Sequence, residues 1–252
     1  MALGLRSSNP ALNRKTFDQA GPLDAAGAMT IQGAVNKTGL LLICVVATAA
    51  YTWTQAMRQP ENPAAAVPYL LGGAIGGFIV ALVTIFKKEW SPVTAPLYAL
   101  LEGLFLGAIS AFFEIRYPGI AIQAVGLTFG TLAVLLLAYK SGLIRATENF
   151  KLGVVAATGG IALLYLVTIV LGFLGVHVPK IYESGPIGIA FSLFVVVIAA
   201  LNLALDFDFI ESGASAGAPK YMEWYAAFGL MVTLIWLYLE IMRLLAKLRS
   251  RR

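Results

Sequence analysis

The sequence contains little charge, one cysteine and one histidine. Charged residues make up 12% of the 252, whereas soluble domains carry about 25%. Such a chain has too little polar surface to cover a globule in water, which excludes an ordinary soluble fold. Cys44 and His177 are each alone, so the chain cannot build an intramolecular disulfide, a Cys/His zinc site or a bis-His haem site.

Catalytic and cofactor motifs are also lacking. The chain has no GxSxG or HExxH sequence and no Walker-type phosphate loop. Asp206 and Asp208 are two positions apart on one predicted helix, so their side chains diverge by about 200° and cannot form the dyad of an aspartyl protease. We therefore expect no enzymatic activity and no bound cofactor.

Long apolar runs dominate the rest of the sequence, because hydrophobic residues make up 59% of it. These runs are continuous rather than alternating, which favours helices over barrel strands, and a membrane helix needs about 20 apolar residues. We predict an all-α membrane protein, a seven-transmembrane-helix bundle in the lipid bilayer. A polar N-terminal tail (1–37) and a basic C-terminal tail (249–252) would flank a membrane domain (38–248), with apolar segments near 39–56, 67–86, 96–113, 119–139, 153–176, 186–210 and 224–246.

The net charge of +5 comes from basic residues near the ends of these segments and in the C-terminal tail. Anionic lipid headgroups account for that placement, so no nucleic-acid partner is expected. Loops on the N-terminal side carry more Lys and Arg than those on the other side, which predicts a cytoplasmic N-terminus. The C-terminal RLLAKLRSRR opposes this: either it is an exception, or one segment re-enters and both ends are cytoplasmic.

Pairs of glycines four residues apart occur in three of the apolar segments. They lie within GGAIGG at 72–77, at Gly103 with Gly107, and at Gly126 with Gly130. This spacing lets helix backbones approach closely, so we predict tight helix packing at all three places.

Three acids lie inside apolar segments: Glu102, Asp206 and Glu240. A charge at the bilayer centre costs ~2.5 kcal/mol or more, so each must face the interior, find a partner or stay protonated. Two buried carboxyls can share a proton, and carboxylate oxygens suit a hard cation such as calcium. All three are candidates for pH sensing or an ion pathway, with Asp208 as a secondary candidate and calcium possible near Asp206 or Glu240.

Simpler roles remain open for the same residues. Glu240 precedes Arg243 by three positions, which allows an ordinary ion pair on one helix face. Glu102 lies only about 9 Å of helical rise beyond Pro96 and could hydrogen-bond a neighbouring helix near the interface. Asp208 is expected at the solvated end of the sixth segment.

Three stretches together resemble a known family. LYALLEGLFLGAISAFFE resembles the third-helix signature of the Bax inhibitor-1 family, and LNLALDFDFIESGASAGAPKYMEWYAAF and LIWLYLEIMRLL resemble the last two helices of a bacterial branch. The resemblance covers about residues 29–248. It implies six helices around a central seventh and a pH-sensitive calcium leak.

The resemblance also implies site residues. The family's hydrogen-bonded acid pair on helices six and seven corresponds to Asp206 and Glu240, and its helix-three glutamate corresponds to Glu102. Position 240 departs from the family's aspartate. Helical rise from the predicted ends sets Asp206 and Glu240 at different depths, so Asp206 could meet Glu102 instead.

Two hypotheses about function follow. The first is a pH-sensitive cation leak that carries calcium in a bacterial inner membrane. The second is a non-conducting regulator that binds other membrane proteins, for example a membrane protease or a stress-response complex.

Overall fold

The computed structural model describes residues 27–175 and 183–251. Within them, seven helices are long and apolar enough to cross a membrane. This confirms the predicted seven-helix bundle and makes the chain a multi-pass membrane protein. The helices are α1 (Ile31–Arg58), α2 (Val67–Phe86), α3 (Ser91–Arg116), α4 (Ile120–Lys140), α5 (Glu148–Phe173), α6 (Pro186–Ser215) and α7 (Met222–Ser250).

Several helices begin earlier or end later than the apolar runs suggest. Thr30 caps α1 by accepting a hydrogen bond from the Gly33 amide, so the helix begins at Ile31. It therefore includes polar residues that were predicted to belong to the N-terminal tail. Helix α3 begins at Ser91, which places Pro96 inside it. Helix α6 continues to Ser215, beyond the predicted end near residue 210. Residues 1–26 of the N-terminal tail, His177 and Arg252 lie outside the described residues.

Helix α7 is the central helix, as the resemblance implies. It packs against α1, α3, α4 and α6, and it is the most buried of the seven spans. Large side chains on several sides of it are fully enclosed, including Tyr225, Phe228, Leu237 and Met242. Its mixed sequence is therefore shielded from lipid by the surrounding helices.

Close helix packing occurs at two of the three places where glycine pairs predict it. Within 72–77, a Cβ added at Gly73 of α2 would lie 2.6 Å from the Leu101 carbonyl of α3. A Cβ added at Gly103 would lie 1.9 Å from the Thr48 hydroxyl, and one at Gly107 would lie 2.3 Å from the Ala49 carbonyl. Helices α1 and α3 can approach this closely only because both positions are glycine. Gly126 and Gly130 on α4 face open space, so the prediction of tight packing there is wrong.

Helix α5 lies at the edge of the bundle. It packs mainly against α6, and its buried residues are Lys151, Val154 and Ile161. Most of its large apolar side chains are exposed, as expected of a surface that faces acyl chains. Few buried contacts hold α5 to the rest of the bundle.

Candidate functional site

Asp206 lies on the buried face of α6, with 1% of its surface exposed. Thr233 of α7 faces it, and the Thr233 hydroxyl lies within hydrogen-bonding reach of the carboxyl group. The same hydroxyl also points at the Gly229 carbonyl over a long 3.4 Å. The other carboxyl oxygen of Asp206, Oδ2, is enclosed and has no hydrogen-bond partner among the described residues. Asp206 is thus a buried acid with incomplete compensation.

Glu240 lies on α7 and is held by a basic and a phenolic side chain. Its Oε1 is 2.7 Å from Nη1 of Arg243 and accepts a hydrogen bond of 3.0 Å from the Tyr165 hydroxyl. Arg243 also donates to that hydroxyl at 2.9 Å and lies over the Tyr165 ring. The same-face ion pair with Arg243 is therefore present. Tyr165 of α5 is a further partner of Glu240 that the sequence does not indicate.

The structure does not bring Asp206 and Glu240 together. Helices α6 and α7 are joined by a short turn and run antiparallel. Asp206 lies about 14 Å from that turn along α6, whereas Glu240 lies about 27 Å from it along α7. The difference in depth persists even though α6 is longer than predicted. Each acid instead has its own local partners.

Glu102 lies on α3, apart from Asp206 and Glu240. About 16 Å of helical rise separates it from the start of α3, so it lies deeper than the sequence-based helix start suggests. Its carboxyl group abuts Gly77 of α2, where an added Cβ would be 2.6 Å from Oε1. It lines a cavity of about 410 Å³ between α2, α3 and α7, and it meets neither Asp206 nor Glu240.

Asp208 forms an ion pair with α5. Its Oδ2 is 2.7 Å from Nζ of Lys151, which is nearly buried, and Glu148 lies 3.7 Å from the same nitrogen. The prediction of a simply solvated Asp208 is therefore incomplete, because this acid binds a buried lysine. The pair ties the end of α6 to the first turn of α5.

Two further sets of polar contacts lie between α5, α6 and α7. Asn202, one turn from Asp206, donates to the Thr158 hydroxyl of α5 at 2.8 Å. Near the opposite membrane face, the Lys247 ammonium donates to Ser192 at 2.8 Å and to the Gly188 carbonyl at 3.0 Å. Both links join neighbouring helices inside the bundle.

Together these side chains form a file across the membrane, which we call the polar track. Helical rise places Asp206, Asn202, Glu240 and Lys247 at depths of about 14, 20, 27 and 38 Å from the face where α7 begins. The members of the track are Asp206, Thr233, Thr158, Asn202, Tyr165, Glu240, Arg243, Ser192 and Lys247. Asp208 and Lys151 lie on the other side of α6 and do not belong to it.

An apolar cluster lies beside the polar track, from about the depth of Asn202 to just past that of Glu240. Ile161 of α5 packs with Val195 and Ile198 of α6, and all three side chains are buried. We call this cluster the apolar plug. Hydrophobic constrictions in ion channels gate by excluding water.

Comparison with known proteins supports the family resemblance. A family model described as Bax inhibitor 1 like matches residues 9–250. The chain belongs to the Bax inhibitor-1 family. A search of curated proteins and a search of solved structures gave no match.

The described residues of this Bax inhibitor-1 family member hold no preformed metal site. Among them, no group of three or more His, Cys, Asp or Glu side chains lies close enough to bind a metal ion. Calcium needs six to eight oxygen ligands, and the acids of the polar track lie at separate depths. Calcium near Asp206 or Glu240 therefore stays a prediction, and it would require a transient site completed by water.

In this Bax inhibitor-1 family member, Glu223 in the first turn of α7 is a buried acid that the sequence pattern does not indicate. It is fully buried, accepts hydrogen bonds from the Thr30 amide at 3.0 Å and hydroxyl at 2.9 Å, and pairs with Lys220 at 2.7 Å. Lys37 lies 3.5 Å away. Glu223 therefore anchors the start of α1 to the start of α7. The sequence places it in a polar loop, which gives no sign of this burial.

The basic C-terminal residues also have internal partners. Arg249 donates to the Tyr117 carbonyl at 3.1 Å, the Pro118 carbonyl at 2.6 Å and the Gln123 side chain at 2.9 Å. Together with Arg243 and Lys247, three of the five basic residues near this end bind other parts of the bundle. They are structural contacts of α7, which runs to Ser250, rather than a free charged tail.

Proposed function

We propose that the protein is a pH-sensitive cation leak, permeable to calcium, in a bacterial cytoplasmic membrane. The observation that carries this proposal is Asp206, a buried carboxyl group on the polar track with an oxygen that has no hydrogen-bond partner among the described residues. Its membership of the Bax inhibitor-1 family adds support. Glu102 lies off the polar track and is left out of the pathway.

The polar track accounts for conduction in this proposal. Ionised Asp206 attracts a cation from one face, and the Glu240 region receives it when the apolar plug beside the track opens. Conduction requires sites that bind weakly enough to release the ion, which suits acids placed at separate depths without a complete ligand shell. The apolar plug keeps the pathway closed until α5, with few buried residues, moves away from α6.

Protonation accounts for the pH sensitivity. A charged carboxylate in an apolar bundle is costly unless it has partners, and Asp206 has few. When Asp206 is protonated it no longer attracts a cation, so flux should fall as the medium becomes more acidic. Glu240 keeps its Arg243 partner and should contribute less to the pH response.

The N-terminus lies on the cytoplasmic side in this proposal. The loops at the face where α1 begins carry most of the loop lysines, including Lys87, Lys88 and Lys140, and positive loops stay cytoplasmic. The C-terminal basic residues are weaker evidence against a cytoplasmic N-terminus than their number suggests. Three of them already bind other parts of the bundle.

Calcium flux into liposomes tests the proposal. Full-length protein is reconstituted with a calcium dye inside, and the initial rate is measured on both sides of neutral pH. We expect Asp206→Asn to lower the flux and remove its pH dependence, because the amide cannot ionise. We expect Glu240→Gln to lower the flux and to keep the pH dependence.

Two variants control for general effects of removing an acid. Glu211→Gln changes an exposed acid of α6 that binds Tyr139 at 2.6 Å, and Glu102→Gln changes an acid off the polar track. Both should conduct like the wild type. An unchanged pH profile in Asp206→Asn would refute the assignment, and absence of flux from the wild type would favour the non-conducting regulator instead.

A further inference from the structure

The cavity around Glu102 has a lining that suits a particular class of ligand. It lies between α2, α3 and α7, and its volume of about 410 Å³ falls within the roughly 300–1,000 Å³ of small-molecule pockets. Phe78 at its edge is 63% exposed, so the cavity is reached from the acyl-chain region of the bilayer. An apolar molecule can therefore enter it by diffusion within the membrane.

Aromatic side chains make up much of the cavity wall. Tyr98 and Phe105 come from α3, and Phe228 and Trp236 come from α7. The rings of Tyr98 and Phe228 pack edge to face, with centroids 4.9 Å apart, which fixes their orientation. Aromatic faces attract organic cations, most strongly where water is excluded.

Glu102 supplies the only acidic group of this wall. None of the ion pairs formed by the described residues involves it. A carboxylate about 16 Å along α3 lies too deep for a lipid headgroup to neutralise it without drawing its chains out of place. A positive charge carried on an apolar body would reach it and would compensate the cost of burying the carboxylate.

The cavity is separate from the polar track. Val232, Trp236 and Leu239 line it from one side of α7, whereas Thr233 and Glu240 lie on a side rotated by about 100°. Occupation of the cavity therefore does not require the cation leak to exist.

We propose that the Glu102 cavity is a binding site for lipophilic organic ammonium ions. The carboxylate pairs with the ammonium group, the aromatic walls surround it, and the apolar body of the ligand extends towards the lipid past Phe78.

Equilibrium binding to full-length protein in zwitterionic lipid nanodiscs tests this site. The probe is radiolabelled benzyldimethylhexylammonium, which is permanently charged, and its neutral comparison is an amide of similar size. We expect saturable binding of the ammonium and much weaker binding of the amide. Glu102→Gln should weaken ammonium binding by about thirtyfold or more, because one partner of a buried charge pair is lost.

Two further variants keep the test decisive. Ala81→Leu fills part of the cavity without changing any charge, and it should also weaken binding even if Glu102→Gln folds poorly. Glu240→Gln removes a buried acid outside the cavity and should bind like the wild type. Equal binding of the amide, or unchanged ammonium binding in both Glu102→Gln and Ala81→Leu, would overturn the proposal.

Discussion

The contact between Glu223 and Gly33 allows a sharp test of how α1 is anchored to α7. A Cβ added at Gly33 would lie 1.8 Å from Oε1 of Glu223, so Gly33→Ala must displace the carboxylate. That carboxylate is the movable end of a side chain, and the cost is therefore the contacts it loses. These are two hydrogen bonds from Thr30 and the ion pair with Lys220.

The magnitude follows from those contacts. Hydrogen bonds to a charged group contribute about 1.5–3 kcal/mol each, whereas Lys220 is half exposed and its ion pair adds about 0–1 kcal/mol. We expect both Gly33→Ala and Glu223→Ala to destabilise the protein by about 3 kcal/mol. In the Glu223→Ala background the clash is gone, so Gly33→Ala should stabilise by up to about 1 kcal/mol through helix propensity.

The assay is reversible unfolding in mixed micelles with increasing SDS, followed by tryptophan fluorescence. The double-mutant cycle should give a coupling energy of about 3–4 kcal/mol between the two positions. Glu211→Gln, which removes an exposed charge while its amide oxygen can still accept from Tyr139, is the control and should change stability little. The same destabilisation by Gly33→Ala in both backgrounds would refute this account of the anchor.

Three further outcomes follow from the packing. Ile161→Ala removes buried volume from the apolar plug and should raise basal calcium flux in liposomes several-fold; unchanged or lower flux would argue against a pathway there. Gly107→Ala places a Cβ 2.3 Å from a backbone carbonyl of α1, whereas Gly130→Ala meets open space, so only the former should lower the SDS midpoint and the folded yield. Arg249→Gln loses its hydrogen bonds to the two carbonyls of the α3–α4 loop, so proteolysis in that loop should be faster. Arg249→Lys should restore only part of the protection, because lysine lacks the planar guanidinium group that binds both carbonyls and Gln123 together.

Sequence alone determined the membrane bundle and the number of its helices. Seven long apolar runs and 12% charged residues leave no soluble alternative, since every backbone polar group within lipid must be satisfied by helical hydrogen bonds. It also identified Glu102, Asp206 and Glu240 as unusual, because an acid inside an apolar run carries a known cost. The sequence also predicted the Glu240–Arg243 ion pair, because that pair depends only on helical spacing.

Tertiary structure alone decided which groups meet. Helical spacing fixes a side chain's direction on its own helix, but the partner depends on how helices are shifted and rotated against each other. The longer α6 and the start of α7 at Met222 place Asp206 beside Thr233 and leave Glu240 to Tyr165. Glu223 looked like a loop acid because local sequence carries no information about its partner Thr30 at the start of α1, which lies 193 residues away along the chain.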